Sequence, residues 1–192
     1  MPRSTPSAAT ILDTALDLAE SCGWERLYLH DVATALNSDL ATIARHYRQK
    51  DDLVEAWLDR ADAALFERAK GADLATLAPD KRLEELLMAW LGGIAVHRAL
   101  TGQMLLYKLE LGHVHLQVGA LLRVSRTVQW WREAARRHKL HLARVAEESL
   151  LSAVFLRTFV HWLRHPEVAD ADLRALLRRQ LRGGPLAWLL RA

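Results

Sequence analysis

Leu29-His30-Asp31-Val32-Ala33-Thr34-Ala35-Leu36, then Asn37-Ser38, then Asp39-Leu40-Ala41-Thr42-Ile43-Ala44-Arg45-His46-Tyr47 is the stretch on which the reading of this chain turns. Each flank is long enough for about two helical turns. Between them Asn37-Ser38 favours a turn, because asparagine visits the left-handed backbone region at little cost. Asp39 is placed to cap the second helix. Two short helices joined by a tight turn make a helix-turn-helix.

Working outward, the preceding helix is expected from about Ser7, as N-cap, to Cys22, with Ile11, Leu12, Ala15, Leu18 and Ala19 at three-to-four spacing and Gly23 as the stop. After the motif a longer helix starts near Lys50, where Asp51 and Asp52 suit the positive end of the dipole. It carries Leu53, Val54, Trp57, Leu58, Ala61, Ala64 and Leu65 before Gly71. A loop over 71–79 leads to Asp80, read as the cap of a helix with Leu83, Leu86, Leu87, Trp90, Ile94 and His97 along one face. Thr101-Gly102 and Gly112 bracket a short helical piece. The next helix, from about His113 to Lys139, is expected to bury Leu121, Val124, Val128, Trp131 and Ala135.

The most apolar helix is read from about Leu142 to Arg164, and its apolar residues cover more than one face. That breadth calls for two partners, such as the core and a second subunit. Pro166 ends it, a helix from about Asp170 to Leu181 follows, and Gly183-Gly184-Pro185 opens a short tail. The fold class is therefore all-α, with about nine helices: a three-helix helix-turn-helix head and a larger C-terminal bundle. The expected domains are 1–50, continuing into a linking helix over 50–70, and 71–192 for ligand binding and dimerisation.

Composition bounds the function. In 192 residues, 51% apolar side chains are enough for a sizeable core, which excludes a disordered chain. The single cysteine, Cys22, excludes an intramolecular disulfide and a cysteine-rich zinc site, and reads as a buried helix residue. Asp13, Asp17 and Glu20 interrupt the N-terminal apolar residues, and no apolar run approaches the ~18 residues a bilayer requires. A cytoplasmic protein is expected. The net charge of +3 is unevenly spread: residues 1–50 carry five Lys/Arg against six Asp/Glu, 51–120 seven against eleven, and 121–192 fourteen against six. The basic end is thus not the end that carries the helix-turn-helix.

The run Ile11-Leu12-Asp13-Thr14-Ala15, Gly23-Trp24-Glu25, Asp31-Val32-Ala33, Thr42-Ile43, His46-Tyr47 and Lys50-Asp51-Asp52-Leu53 resembles, in order and spacing, the N-terminal domain of the TetR (tetracycline-repressor) family over about residues 8–58. The resemblance implies a dimer that binds double-stranded operator DNA and is released by a small molecule held in the larger domain. It places Asp39, Leu40, Thr42, Ile43, Arg45, His46, Arg48 and Lys50 at the DNA, with Thr42 toward a base edge and Lys50 on a phosphate. Tyr47 matches an aromatic that packs inside the head. Leu27 and Tyr28 stand where a hydroxyl residue is usual, and Ala44 where a tyrosine is usual.

For the effector, Trp90, Ile94, His97, Met104, Tyr107, Trp131, Phe155 and Phe159 are the candidate lining of an apolar pocket, with His97 or Glu110 as a polar anchor. Trp130 and Trp162 are further aromatics of the same kind, and aromatics at helical spacing are more often core. An apolar or aromatic ligand is expected. His161/His165 and His113/His115 have spacings that can hold a metal, but no diagnostic carboxylate or cysteine accompanies them, so neither a metal nor a cofactor is expected. Arg132, Arg136, Arg137 and Lys139 read as a solvated helix face. No nucleophile elbow, phosphate loop or carboxylate pair points to an enzyme. An alternative function is a lipid- or isoprenoid-binding protein of the same fold that has lost DNA binding. Its tail Pro185-Leu186-Ala187-Trp188-Leu189-Leu190-Arg191 would then meet a membrane surface or dock on its own core.

Overall fold

The computed structural model describes residues 5–109 and 114–191, with the backbone alone at Val114 and Arg191. It is all-helical, with ten α-helices and no strand among the described residues. They are α1 (Ala8–Cys22), α2 (Leu29–Ala35), α3 (Leu40–His46), α4 (Lys50–Ala69), α5 (Pro79–Gly93), α6 (Arg98–Lys108), α7 (Val114–Ala134), α8 (His141–Arg164), α9 (Asp170–Leu181) and α10 (Gly184–Arg191). The count exceeds the expected nine because the tail after Gly183 is itself a helix. Two compact units form. One comprises Met1–Asp59 with His97–Leu116, and the other Arg60–Val96 with Gln117–Ala192. The unit that holds the helix-turn-helix therefore also takes in α6, and α4 divides between the units near its middle.

In the first unit, local signals set the helix ends. Ser7 caps α1 by accepting the Thr10 N–H at 3.1 Å, and Gly23 ends it with φ +84°. Asn37 turns the chain between α2 and α3 with φ +49°. Ile11, Leu16, Trp24, Leu53, Trp57, Leu100 and Met104 are buried, each apolar side chain contributing about 1.5–3 kcal/mol by leaving water. α6 packs on α1. The Trp24 N–H donates to Gln103 Oε1 at 2.8 Å, and His97 Nδ1 lies 2.7 Å from the Glu20 carboxylate. Thr101-Gly102 is not a boundary. Thr101 donates its hydroxyl to the His97 carbonyl and accepts the Trp57 indole N–H at 2.9 Å, so a threonine read as part of a break is buried inside α6. Cys22 is half-buried, with its thiol toward the Gly23 carbonyl, and not in the core as its spacing suggested.

In the second unit, Asp62 of α4 accepts the Trp90 indole N–H at 2.8 Å, Arg123 Nη2 at 2.7 Å and the Thr127 hydroxyl at 3.2 Å. Gly93 lets α5 approach α4 closely, since a Cβ there would stand 2.7 Å from that of Ala64. α5 starts at Pro79, whose missing N–H costs nothing in a first turn, and Ala78 rather than Asp80 is its N-cap. α7 stops at Ala134 and not Lys139. Arg136 takes the left-handed conformation, φ +55°, and the Arg137 N–H closes on the Arg132 carbonyl. Leu121 is 70% exposed, contrary to expectation, because the buried stripe of α7 runs through Leu116, Arg123, Thr127 and Trp131.

Of the arginines near the end of α7, Arg136 is exposed as expected, but the other two do not belong to a solvated face. Arg132 and Arg137 are buried. Arg137 grips Glu147 of α8 at 2.9 and 3.2 Å and donates to the Leu189 carbonyl of α10, and Arg132 reaches Glu148 at 3.0 Å. α10 is thereby fixed to its own bundle, with Leu186, Leu189 and Leu190 buried and Trp188 71% exposed.

Candidate functional site

α3 follows from its capping. Asp39 accepts the Thr42 N–H at 2.7 Å. Hydrogen bonds from the Thr42 hydroxyl and then from its N–H hold the Asp39 carboxyl below the ordinary 3.8. Arg45 in turn donates to the Thr42 hydroxyl at 2.9 Å. The charge of Asp39 is thus used to start the helix, and the Thr42 hydroxyl is occupied within it, its residue only 7% exposed. Ile43 is fully buried. Tyr47 is buried and donates its hydroxyl to the Ala8 carbonyl at 2.8 Å, the internal role read from its position.

The outward side of α3 presents Leu40, Ala41, Ala44, Arg45 and His46, followed by Arg48. Tyr28, at the start of α2, is 58% exposed and stacks on His30 with ring centroids 5.4 Å apart. Neither was among the expected contacts. An exposed aromatic in the N-cap position, which makes no side-chain cap, was the available signal.

The cations are more engaged than their number suggests. Arg48 pairs with Asp52 at 3.4 Å. Lys50 turns inward, donating to the Trp24 carbonyl and, at 3.1 Å, to the Glu25 carbonyl, with its ammonium 5.1 Å from the Trp24 ring and 5.3 Å from the Tyr107 ring. It closes the end of the α1–α2 loop. Arg3, the one cation ahead of α1, lies outside the described residues.

The effector candidates fall into two groups. Trp90, Phe155 and Phe159 are brought together, with ring centroids 5.1 to 5.7 Å apart, and Trp162 stacks on Phe159 at 6.0 Å. Ile94 and Trp131 are buried in the same unit, and the Trp131 indole donates to the Leu83 carbonyl at 2.9 Å. His97, Met104 and Tyr107 belong to the first unit. His97 is held by Glu20 and meets the Trp57 ring edge-on at 5.3 Å. Glu110 and His113 lie outside the described residues. Three described clefts of about 410 to 500 Å³ are lined by other residues. One runs between α8, α9 and the start of α10, past Leu150, Val154, Arg157, Leu176, Arg179 and Leu186. His161 and His165 sit with ring centroids 4.4 Å apart, and no group of three or more metal-ligating side chains occurs among the described residues.

A solved TetR transcriptional regulator from Nitrosomonas europaea is 40% identical and superposes with a TM-score of 0.81, covering 94% of this chain and 98% of its own. The chain belongs to the TetR family of transcriptional regulators. A TetR-family regulatory protein from Rhodococcus matches at 19% identity and TM-score 0.47 over 96% of this chain and 95% of its own. No protein-family model and no curated protein matches the sequence. Within this TetR-family chain, α2, the Asn37 turn and α3 are the helix-turn-helix. No helix among the described residues is long and apolar enough to cross a membrane.

Proposed function

We propose that this TetR-family regulator binds operator DNA as a homodimer, represses transcription, and is released by an apolar or aromatic small molecule. The observation that carries the DNA reading is the outward side of α3, a short capped helix with small and apolar side chains that Arg45 and Arg48 flank. In this reading Leu40, Ala41, Ala44, Arg45, His46 and Arg48 meet DNA, while Asp39, Thr42, Ile43 and Lys50 hold the head that presents them.

The dimer reading rests on α8. Leu151, Val154, Phe155 and Phe159 are buried in the unit, yet Leu142, Val145, Leu156 and Val160 are 85, 55, 42 and 41% exposed. A self-complementary two-fold patch on α8 and α9 would cover them. The effector site is proposed at the aromatic cluster of Trp90, Phe155 and Phe159, in the unit that also buries Ile94 and Trp131. His97, Met104 and Tyr107 are better explained as holding α6 against the head. The docking of α10 through three leucines removes most of the apolar surface on which a lipid carrier meeting a membrane would depend, and so favours the regulator.

The test is a mobility shift on DNA surrounding the chain's own gene at two salt concentrations. A specific shift with a shallow salt dependence is expected, since few cations are free to reach phosphates and log affinity falls by ~0.9 per phosphate for each decade of salt. Binding to anionic vesicles with no shift on any DNA would overturn the reading. Light scattering showing a monomer at micromolar concentration would overturn the dimer.

A further inference from the structure

We infer that α3 reads its operator chiefly through thymine methyl groups, which Leu40, Ala41 and Ala44 contact, and not through hydrogen bonds from Thr42. This rests on the DNA-binding reading above and adds the chemistry of the sequence it selects.

Successive helical residues are 100° apart, so Leu40 and Ala44 stand about 40° from each other and Ala41 lies within about 100° of Leu40. The three make one continuous face. All are exposed, Leu40 at 53%, and none carries a polar side chain. Arg45, the next residue round, is drawn toward Thr42. Thr42 itself is 7% exposed, with its hydroxyl engaged by Arg45 and its N–H by Asp39. Thr42, the one polar residue of α3's first turn, is thus spent on Asp39 and Arg45.

In the major groove, thymine is the base that offers an apolar group, the C5-methyl, and apolar side chains recognise it by contact. The small side chains of Ala41 and Ala44 let the α3 backbone approach closely, and Leu40 supplies reach. Arg45 and Arg48 beside this face are the groups that would meet the sugar-phosphate walls.

The experiment enriches bound duplexes from a random double-stranded DNA library with the full-length protein. The enriched site is then remade with uracil, which lacks only the methyl, at each thymine in turn. Each contacted methyl removed should weaken binding about fourfold, the equivalent of one buried methylene. Leu40→Ala, an exposed substitution that leaves the head folded, should abolish the uracil penalty at its own position. Thr42→Val should leave every uracil penalty unchanged. Equal binding of the thymine and uracil forms by the unaltered protein would overturn the inference while the DNA reading stands, and so would a site whose preferences shift with Thr42→Val but not with Leu40→Ala. Failure to enrich any sequence would overturn the DNA reading, and this inference with it.

Discussion

Two buried charged clusters sit on the same helix, α4, one in each compact unit, and they are built in opposite ways. In the first unit the buried charge is a cation. Lys108 of α6, 1% exposed, reaches Asp51 and Glu55 at 2.8 Å, but those carboxylates keep 13 and 31% of their side-chain surface in water. In the second unit the cation and the anion are both buried. Arg123 and Asp62 are 5 and 8% exposed at 2.7 Å, and Asp62 accepts from Trp90 and Thr127 as well. A buried carboxylate with three donors is fully compensated and has no route to water if a partner is lost. Of the Lys108 carboxylates, Glu55 keeps the larger share of its surface in water and can hydrate in place. The first cluster is therefore tolerant of change and the second is not, although the two look alike as ion pairs.

The largest predicted effect follows from that difference. Asp62→Ala removes the buried carboxylate on which Arg123, Trp90 and Thr127 converge, and should destabilise the second unit by about 3–5 kcal/mol. Urea denaturation followed by circular dichroism would measure it. Lys108→Met removes the buried member instead and fills its volume with an apolar side chain, leaving two carboxylates that are both partly exposed. A loss of about 1 kcal/mol is expected, within the range of volume-conserving core changes. If the two variants cost the same, partial exposure of the carboxylates does not matter and the comparison fails. A lower midpoint for Lys108→Met at low salt than at high salt would sharpen it, since the remaining repulsion between Asp51 and Glu55 is screened by ions.

These clusters also mark what the sequence could reveal. The head was legible because its determinants are local. Ser7, Gly23, Asn37 and Asp39 each fix a cap or a turn within a few residues, and α1 to α3 end within a residue or two of where those signals place them. α7 was misread because its buried stripe is partly polar. Apolar spacing brought Leu121 inward, but Arg123 and Thr127 take the inward positions to satisfy Asp62, a partner 61 residues away in sequence. Likewise, Arg132 and Arg137 looked solvated until α8 supplied Glu147 and Glu148. At the candidate DNA face, the resemblance groups Thr42 and Ile43 with Leu40 and Arg45, and it is the packing of the head that turns the first two inward. The inward turn of Lys50 depends on the Trp24 carbonyl, which no spacing encodes.

The smallest predicted effect tests whether backbone conformation, and not charge alone, builds such clusters. Arg137 meets Glu147 because Arg136 adopts the left-handed region, φ +55°, and so turns the chain out of α7. A side chain with a Cβ is held there at a cost of roughly 1–2 kcal/mol that glycine escapes. Arg136→Ala keeps the Cβ and loses the charge, whereas Arg136→Gly loses both. Glycine should therefore be the more stable of the two variants by about 1 kcal/mol. Against the unaltered chain, glycine's gain is offset by the lost cation at the C-terminal end of α7, a favourable interaction of about 0.3–1 kcal/mol, so a net change of a few tenths is expected. Thermal denaturation of the three proteins side by side measures both differences. Should Arg136→Gly prove less stable than Arg136→Ala, the turn is not strained, and the added freedom of glycine in the unfolded chain would dominate instead.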